Sequence, residues 1–430
     1  MKKVLSLSLA LLMTASLAAC GGSGGASTTA APAPAAPAET KAAEAAPAET
    51  KEEAKAEETK AAEAAPAAEG DTIYFGVNYE LTGANPIIGE AAIKGIDMAI
   101  EDINSKGGVT FDGKQYKLAY KALDNGFNTD ESALNAQEFA DDESILAMVG
   151  PNDSDMCMAT SAVIKEYGLP EIAPWSTLVE LTDNEMILRC CFTDNFQGYI
   201  LAKYAYEFEN AKTAAVLYDM SNPYNVGVAE NFKKAFEEFG GSIVEFQTYN
   251  GKTGESDFTS QMTKIASAAP DILLLPNFYE EIVVQTTQAR DMGYKGKFMG
   301  SDTWGDDALL EWDTDNLLDG AIWVGHYHKD IASQMALDFI DKYHEIYGTT
   351  GDPNDIVALN YDAVHVLALG IENAKELSRA GIHEGLMSLD SYEGVTGKMT
   401  WDNGNGDPTK SAVVIQIKDG AFQYLATVEP

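Results

Sequence analysis

The fold follows from residues 72–108, whose sequence is TIYFGVNYELTGANPIIGEAAIKGIDMAIEDINSKGG. The first six of them, Thr72 to Val77, are rich in β-branched and aromatic residues and short, which is typical of a buried strand. After a turn that contains glycine, isoleucines recur at helical spacing from Ile93 to Ile103, and Gly107-Gly108 ends the helix. These residues therefore predict one strand–helix unit.

The same unit repeats along the chain. Further strands are predicted at 116–123, 145–149, 171–173, 214–218, 242–249, 272–275 and 297–299, with helical patterns between them. This alternation predicts an α/β fold of parallel, doubly wound sheets covered by helices on both faces. After residue 330 the pattern changes to two long helices, at 331–347 and 355–374, followed by short strands. Residues 71–430 exceed the ~250 to 300 residues at which a single hydrophobic core stops growing, so two lobes are expected.

The composition excludes several classes of function. The chain has 430 residues, with 67 Asp+Glu against 29 Lys+Arg, and its formal net charge is −38. Nucleic acids and anionic lipid surfaces are bound by clusters of Lys and Arg, so we expect no nucleic-acid partner. Because 45% of the residues are hydrophobic and 9% aromatic, the acidity belongs to a folded globular protein.

The first 70 residues have the composition of an export signal and a tether. Lys2 and Lys3 precede a short apolar run and then small residues up to Cys20, as in a secretory signal. Residues 17–20, Leu-Ala-Ala-Cys, resemble the lipobox of bacterial lipoproteins, which implies lipidation of Cys20; an ordinary signal peptide is the alternative. Residues 21–70 are a low-complexity segment of Ala, Pro, Glu and Lys and are predicted to be a disordered tether. We expect a lipid-anchored, extracytoplasmic protein on the outer face of the cytoplasmic membrane or in the periplasm.

The sequence contains no constellation for enzyme chemistry. It has neither a Gly-x-Ser-x-Gly elbow nor a His-Glu-x-x-His motif. His326 and His328 are spaced as a pair but lack a third metal ligand. Cys190 and Cys191 are adjacent in a predicted strand, so they are expected to face opposite sides and to pack. We expect no enzymatic activity, no cofactor and no metal.

Seven segments, taken in order, carry a resemblance to a known family. They are 81–83 (LTG), 99–108 (AIEDINSKGG), 148–154 (MVGPNDS), 172–177 (IAPWST), 270–275 (PDILLL), 288–293 (QARDMG) and 299–302 (MGSD). With them the chain, over residues 71–430, resembles the branched-chain amino-acid (leucine/isoleucine/valine-binding) group of ABC-transporter solute-binding proteins, the type I periplasmic binding proteins.

The resemblance implies two doubly wound lobes joined by three hinge crossovers, with the ligand in the cleft between them. Lobe 1 would comprise 71–193 plus about 327–401, and lobe 2 would comprise 194–326 plus about 402–430. Open α/β sheets bind ligands at the carboxyl ends of their strands, next to helix N-termini, which agrees with a cleft site.

Particular residues of this chain take the family's ligand-binding positions. Ser154 would donate to the ligand carboxylate, and Ser176, Thr177 and the backbone at Trp175 would complete that contact. Asp302 would pair with the α-ammonium group.

The walls of the cleft are implied in the same way. Tyr224 would close over the ligand from the second lobe, and Phe278 or Tyr279 would form another wall. Ile88 stands where related proteins often carry an aromatic residue, while Trp175 is larger than the residue found in leucine-binding members.

The resemblance also implies a role. The protein would capture an aliphatic amino acid, most of all a branched-chain one, by hinge closure and deliver it as a monomer to an ABC permease and its ATPase. Urea or another amide, an aromatic amino acid or an aromatic acid are the alternative ligands. A sensor lipoprotein is the alternative role.

Overall fold

The computed structural model describes residues 72–349, 351–402 and 404–430. The predicted signal segment 1–20, its Cys20 and the predicted tether 21–70 lie outside the described residues. Within the described part of the chain, no helix has the length and apolar character needed to cross a membrane.

Strands and helices alternate through most of the chain. The strands are β1 (Thr72–Tyr79), β2 (Val109–Phe111), β3 (Lys114–Asp124), β4 (Ile145–Val149), β5 (Glu171–Ala173), β6 (Ile187–Arg189), β7 (Thr213–Asp219), β8 (Ser242–Tyr249), β9 (Ile272–Leu275), β10 (Lys297–Gly300), β11 (Ile322–Gly325), β12 (Ser391–Gly394), β13 (Gly397–Thr400), β14 (Ala412–Lys418) and β15 (Ala421–Val428). The helices are α1 (Pro86–Ser105), α2 (Thr129–Asp141), α3 (Ser154–Tyr167), α4 (Asp194–Lys203), α5 (Pro223–Glu238), α6 (Thr259–Ala268), α7 (Tyr279–Asp291), α8 (Asp307–Trp312), α9 (Gln334–Tyr347), α10 (Asp355–Asn373) and α11 (Arg379–Met387).

The strands form two large sheets. The first has six strands in the order β2-β3-β1-β4-β5-β6, and all neighbours are parallel except β2, which runs antiparallel to β3. The second has seven strands in the order β15-β14-β11-β10-β9-β7-β8. It is parallel from β11 to β8, and β14 and β15 add an antiparallel edge. A hairpin, β12-β13, completes the strands.

Helices cover both faces of the first sheet. Successive strand residues point to opposite faces, and Met148 packs with Phe139 of α2 whereas Val149 packs in the core that contains Ile96 of α1 and Leu367 of α10. This arrangement confirms the predicted doubly wound α/β class.

The chain passes between the two sheets three times. It leaves the first sheet after β6, returns from β11 to the helices α9, α10 and α11, and enters the second sheet again at β14. Helices α10 and α11 pack on α1 and β4 of the first sheet, so the long helices belong with that sheet although they follow the second one in sequence. The predicted pair of lobes with three crossovers is confirmed, whereas the exact limits of the lobes stay a prediction.

Several elements differ from the sequence prediction. The strands predicted at 145–149, 171–173, 242–249 and 272–275 have these bounds in the structure, but β6, β11 and α11 were not predicted. The expectation that Cys190 and Cys191 lie on a strand is wrong, because β6 ends at Arg189 where the chain begins to cross to the second sheet. Both cysteines are fully buried, and this burial raises the pKa of each thiol well above its usual value, so they pack as protonated side chains.

One arginine ties the late helices to the first sheet. The guanidinium of Arg379, at the start of α11, donates to the carbonyl oxygens of Phe139, Ala140 and Asp142 at 2.9 to 3.0 Å and to that of Ile145 at 2.9 Å. The first three carbonyls are at the end of α2, where a helix leaves its last carbonyl groups without partners. Arg379 therefore caps α2 from a segment more than 230 residues later in the chain.

We predict that Arg379→Met lowers the free energy of unfolding by about 2 to 3 kcal/mol, because four carbonyl groups lose a charged donor. The measurement is urea unfolding followed by circular dichroism. Lys375→Met is the control, since Lys375 is exposed and pairs with Glu384 on the surface. An Arg379→Met protein as stable as the Lys375→Met protein would contradict this role of Arg379.

Candidate ligand-binding site in the cleft

A small cavity lies where loops from the two sheets meet. Loops after β4 and β5 of the first sheet line one side, and residues that follow β7, β9 and β10 of the second sheet line the other. The lining residues are Asn152, Asp153, Ser154, Trp175, Tyr224, Phe278 and Thr303. The cavity volume is about 10 Å³, which is room for about one water molecule. The two lobes are therefore closed on each other in this structure.

The loop after β4 is shaped by a glycine. Gly150 has a φ of +77°, and a Cβ atom there would lie 2.2 Å from the ring of Tyr79. Only glycine fits both the left-handed backbone and the close approach. The turn brings Asp153 to the N-cap of α3, where its carboxylate accepts from the backbone N–H of Asp155 at 3.1 Å. Ser154 is thereby placed in the first turn of the helix.

Ser154 and Ser176 contact each other, whereas Thr177 is used elsewhere. The hydroxyl oxygens of Ser154 and Ser176 are 3.0 Å apart, and both residues are buried. The Thr177 hydroxyl instead donates to the Asp194 carboxylate at 2.6 Å, and Thr177 does not line the cavity. Of the predicted carboxylate-binding hydroxyls, the structure thus brings Ser154 to the cavity and Ser176 directly behind it.

Trp175 supplies an unused hydrogen-bond donor. Its side chain is 5% exposed and lines the cavity, and its indole Nε1 has no hydrogen-bond partner among the described residues. A buried donor without a partner costs about 1 to 3 kcal/mol. The sequence identified Trp175 as a bulky wall, but because it lines the same cavity as Ser154, its indole N–H is also a candidate donor for an acceptor atom of a ligand.

The second lobe contributes a tyrosine and an acid. Tyr224 lies in the first turn of α5, and its hydroxyl donates to the Asp302 carboxylate at 2.5 Å and lies 2.7 Å from the Ser301 hydroxyl. Burial, together with the charge of Asp302, raises the pKa of Tyr224 well above its usual value, so the hydroxyl keeps its proton. Asp302 is buried and does not itself line the cavity; Tyr224 connects the two.

Asp302 also contacts the crossovers between the lobes. Its second carboxylate oxygen is 3.2 Å from Nε2 of His326, which directly follows β11, and its backbone N–H donates to Gln197 of α4 at 2.9 Å. The His326 ring stacks on Phe192, with ring centroids 3.9 Å apart. The sequence had identified His326 only as one of a histidine pair. Among the described residues, no group of three or more His, Cys, Asp or Glu side chains could hold a metal ion.

Aromatic rings separate the cavity from a wider opening. Phe278 packs against Tyr224 at a centroid distance of 6.1 Å and edge-on against Phe127 of the first lobe at 6.2 Å. Outside Phe278 is a vestibule of about 640 Å³ between the two lobes. Across it, the Lys252 ammonium nitrogen lies 3.1 Å from the Asp155 carboxylate. An aromatic contact and an ion pair with an exposed lysine thus both join the two lobes.

Ile88 is not part of the cavity. The sequence placed it at the wall of the cleft, but Ile88 lies in α1, where it is fully buried and packs in the core of the first sheet. The structure instead adds three lining residues that were not singled out, Asn152, Asp153 and Thr303. Asn152 and Asp153 precede Ser154 within segment 148–154, and Thr303 directly follows Asp302 at the end of segment 299–302; this proximity in sequence was the available signal.

Two parallel-sheet lobes that close on a cavity at their strand ends are the architecture of the two-lobed solute-binding proteins. The family model described as "Periplasmic binding protein" matches residues 72–421, and the chain belongs to this family. The "Leu/Ile/Val-binding protein homolog 1" of Brucella abortus (strain 2308) is 25% identical over 362 residues, which cover 82% of this chain and 93% of that protein.

Solved structures of related proteins have the same fold. The leucine-binding protein LivK from Thermotoga maritima is 30% identical with a TM-score of 0.77, covering 83% of this chain and 99% of that one. LivJ from Streptococcus pneumoniae, a branched-chain amino acid transporter substrate-binding protein in complex with isoleucine, is 28% identical with a TM-score of 0.76, covering 84% and 100%. The fold is thus that of the type I periplasmic binding proteins, as the sequence predicted.

The Asp194 carboxyl group, which accepts from Thr177, makes stability depend on pH. Burial is the main cause that raises its pKa to about 8. A carboxyl group with a raised pKa in the folded state adds stability that is complete below its unfolded pKa of about 3.9 and is lost as the pH rises through about 8.

We predict that Asp194→Asn, which keeps an acceptor for Thr177, becomes more stable relative to the unmodified protein as the pH rises from 5 to 8.5. The measurement is the free energy of unfolding in urea at several pH values. Glu166→Gln changes an exposed carboxylate of α3 and serves as the control with an unaltered profile. A constant difference between Asp194→Asn and the unmodified protein across this pH range would show that Asp194 is ionised throughout.

Proposed function

We propose that this protein is the extracytoplasmic solute-binding subunit of an ABC importer and that it binds an aliphatic amino acid, most of all a branched-chain one, in the cleft. One observation carries the proposal: the first-lobe side of the cavity has the Trp175 indole N–H, which has no partner among the described residues, next to the N-terminus of α3, and the buried acid Asp302 lies behind the second-lobe side. Such polarity suits a zwitterion, whose carboxylate and ammonium groups need opposite partners.

The carboxylate would be held by the first lobe. Ser154 offers a hydroxyl and the N-terminus of α3, and Trp175 offers the indole N–H that has no partner among the described residues. Donors at a helix N-terminus also provide a favourable dipole for an anion. Binding would thus satisfy a donor that is costly in the closed protein.

The ammonium group would be held by the second lobe. Asp302 is 2% exposed and is contacted by Tyr224 and His326, so a negative charge there is poorly solvated and gains from a cation. Tyr224 and Phe278 would pack on the aliphatic side chain. Names of related proteins support this ligand class, since those of the Brucella and Streptococcus relatives refer to leucine, isoleucine and valine or to branched-chain amino acids.

Hinge closure is part of this proposal. A cavity of about 10 Å³ is too small for an amino acid, so the lobes would separate for entry and would be slightly wider apart when the ligand is bound. The lobes, at about 71–193 with 327–401 and 194–326 with 402–430, would move about the three crossovers. A ligand that touches both lobes favours the closed state by its difference in affinity between the two states.

The remaining parts of the proposal concern the membrane. The chain would be exported by residues 1–20, lipidated at Cys20 and held at the membrane by the tether 21–70. The closed, liganded monomer would dock on a permease that is driven by a separate ATPase. A globular body on a flexible tether can reach such a partner without spanning the bilayer itself.

An aromatic acid is the second candidate ligand. The rings of Phe127, Phe278 and Tyr224 form a chain of aromatic contacts from the vestibule to the cavity, which favours a flat ligand. A solute-binding protein of Rhodopseudomonas palustris in complex with benzoate has the same fold at 17% identity and a TM-score of 0.74. Such a ligand has no ammonium group and would leave Asp302 without a partner.

The ligand class is tested by thermal shift against leucine, isoleucine, valine, benzoate and urea. A ligand at 100 times its Kd raises the free energy of unfolding by about 2.7 kcal/mol, which moves the melting temperature by a few degrees. We expect shifts with the three aliphatic amino acids. Shifts confined to benzoate or urea would overturn the amino-acid proposal. If none of the five compounds shifted the melting temperature, the result would favour the alternative role of a sensor lipoprotein.

We further predict that Ser154→Ala weakens the binding of leucine by about 1.5 to 3 kcal/mol, because a hydrogen bond to a carboxylate is lost. The measurement is isothermal titration calorimetry. Ser267→Ala, at an exposed serine in α6, is the matched control and should bind leucine normally. Equal affinity of the two variants would remove Ser154 from the site.

A further inference from the structure

Asp153 is a buried acid in the wall of the cavity. It follows β4 and precedes Ser154, it lines the cavity, and it is 4% exposed. None of the described residues that line the cavity is Lys or Arg. A carboxylate beside a cavity that also holds the unpartnered Trp175 indole is therefore available to a ligand, and nothing in the proposed carboxylate contact uses it.

The hydrogen bonds of Asp153 are weak for a buried carboxylate. Its Oδ1 accepts from the Asp155 backbone at 3.1 Å, and both of its oxygens lie 3.4 Å from the amide nitrogen of Asn222, which is at the long limit of a hydrogen bond. Asn222 belongs to the second lobe, where it caps α5 through the backbone N–H of Tyr224. The N-caps of α3 and α5 thus meet across the cleft without a cation between them.

The surroundings of Asp153 are acidic. Burial first, and then the neighbouring carboxyl groups of Asp155 and Glu80, raise the pKa of Asp153 well above the usual value. The nearby lysine, Lys252, pairs with Asp155 from the outer side. A cation that enters the cavity would therefore relieve both the desolvation and the repulsion at Asp153.

Helix capping alone does not account for an acid at this position. Asn and Ser cap helices about as well as Asp does and place no charge in the interior. In this chain several other helices begin at Asn or Ser, among them α5 at Asn222, α9 at Ser333 and α10 at Asn354. A buried carboxyl group must either keep its proton or find a positive partner, so Asp is the more costly choice here and indicates a role in the cavity.

Building on the function proposed above, we propose that Asp153 is a second acidic partner of the ligand's ammonium group, contributed by the first lobe opposite Asp302 of the second. An ammonium group has three N–H donors and can serve two carboxylates at once. Because Asp153 and Tyr224, the partner of Asp302, line the same cavity, the cation would bridge the lobes. The contact would stabilise the closed state. It would also make the cleft select ligands more by their primary amine than by their side chain.

Selection follows from the cost of leaving two buried acids without a cation. A carboxylic acid without an amine would bring a third negative group into the cavity, whereas an amino acid balances its own carboxylate. We therefore expect strong discrimination between L-leucine and 4-methylpentanoate, which has the same carbon skeleton and lacks the amine. Much of that discrimination is expected to depend on Asp153.

The test compares Asp153→Asn with the unmodified protein by calorimetry, using L-leucine and 4-methylpentanoate as ligands. Asn retains the cap and the shape of the side chain, so the fold is preserved. We expect leucine binding to weaken about 10- to 100-fold and 4-methylpentanoate binding to be unchanged or stronger. Asp306→Asn, at the aspartate that caps α8, is the control with normal leucine binding. Asp153→Ser, another good cap without charge, repeats the test if the Asn variant unfolds.

Two kinds of failure can be told apart. If the unmodified protein binds leucine but Asp153→Asn binds it equally well, the second acidic partner is wrong and the proposed function stands. If the unmodified protein binds 4-methylpentanoate as tightly as leucine, or binds no amino acid, the proposed function and the role of Asp153 both fall. If Asp153→Asn weakened the binding of both ligands equally, Asp153 would only maintain the shape of the cavity. Its proposed pairing with the amine would then be wrong.

Discussion

In a parallel sheet every strand ends at the same edge, and in this protein the edges of two such sheets face one cleft. The loops after β4 and β5 and those after β7, β9 and β10 leave the sheets there, so residues far apart in sequence, such as Ser154 and Thr303, line one cavity of about 10 Å³. Helices α3 and α5 start at the same place and direct their N-termini to it. The site is therefore a consequence of strand direction, and the side chains at the strand ends determine what it binds.

The crossovers lie directly behind the site. Asp302 reaches His326 on one crossover, and His326 stacks on Phe192 of another. Nearby, the fully buried Arg189 pairs with Asp407 of the third crossover at 2.8 Å. Removing one member of such a buried pair leaves an uncompensated charge, so these contacts constrain the path of the chain strongly. The acid assigned to the ligand amine thus belongs to the same polar network as the hinge.

The helices next to the first crossover are packed tightly against each other and do not behave as flexible linkers. At Gly227 in α5, a Cβ atom would lie 2.2 Å from the Asp194 carboxylate of α4. Here a glycine is needed for space, with no demand on its backbone angles. Because α4 follows the first crossover directly, this contact fixes the second lobe to the segment about which it would turn. The proposed motion between the lobes would thereby be confined to a few residues at each crossover.

The sequence contains most of the fold and about half of the cavity. Long strands such as β8 were predictable from periodicity, whereas Ser154 was identified through the family resemblance of segment 148–154. Short strands such as β6 and β11 were not, since three or four apolar residues have no period of their own. Ile88 does not line the cavity, because α1 starts at Pro86 and that side chain is buried in the core. Asp153 was not singled out, because its burial against the second lobe depends on contacts that no local pattern contains.

The most direct test of this account is a crystal structure of the protein grown with L-leucine. We predict one leucine between the lobes, its carboxylate about 3 Å from the Ser154 hydroxyl and the Trp175 indole nitrogen, and its ammonium group toward Tyr224 and Asp302. A leucine bound in the opposite orientation, with its carboxylate on the second lobe, or outside the cleft, would contradict the account.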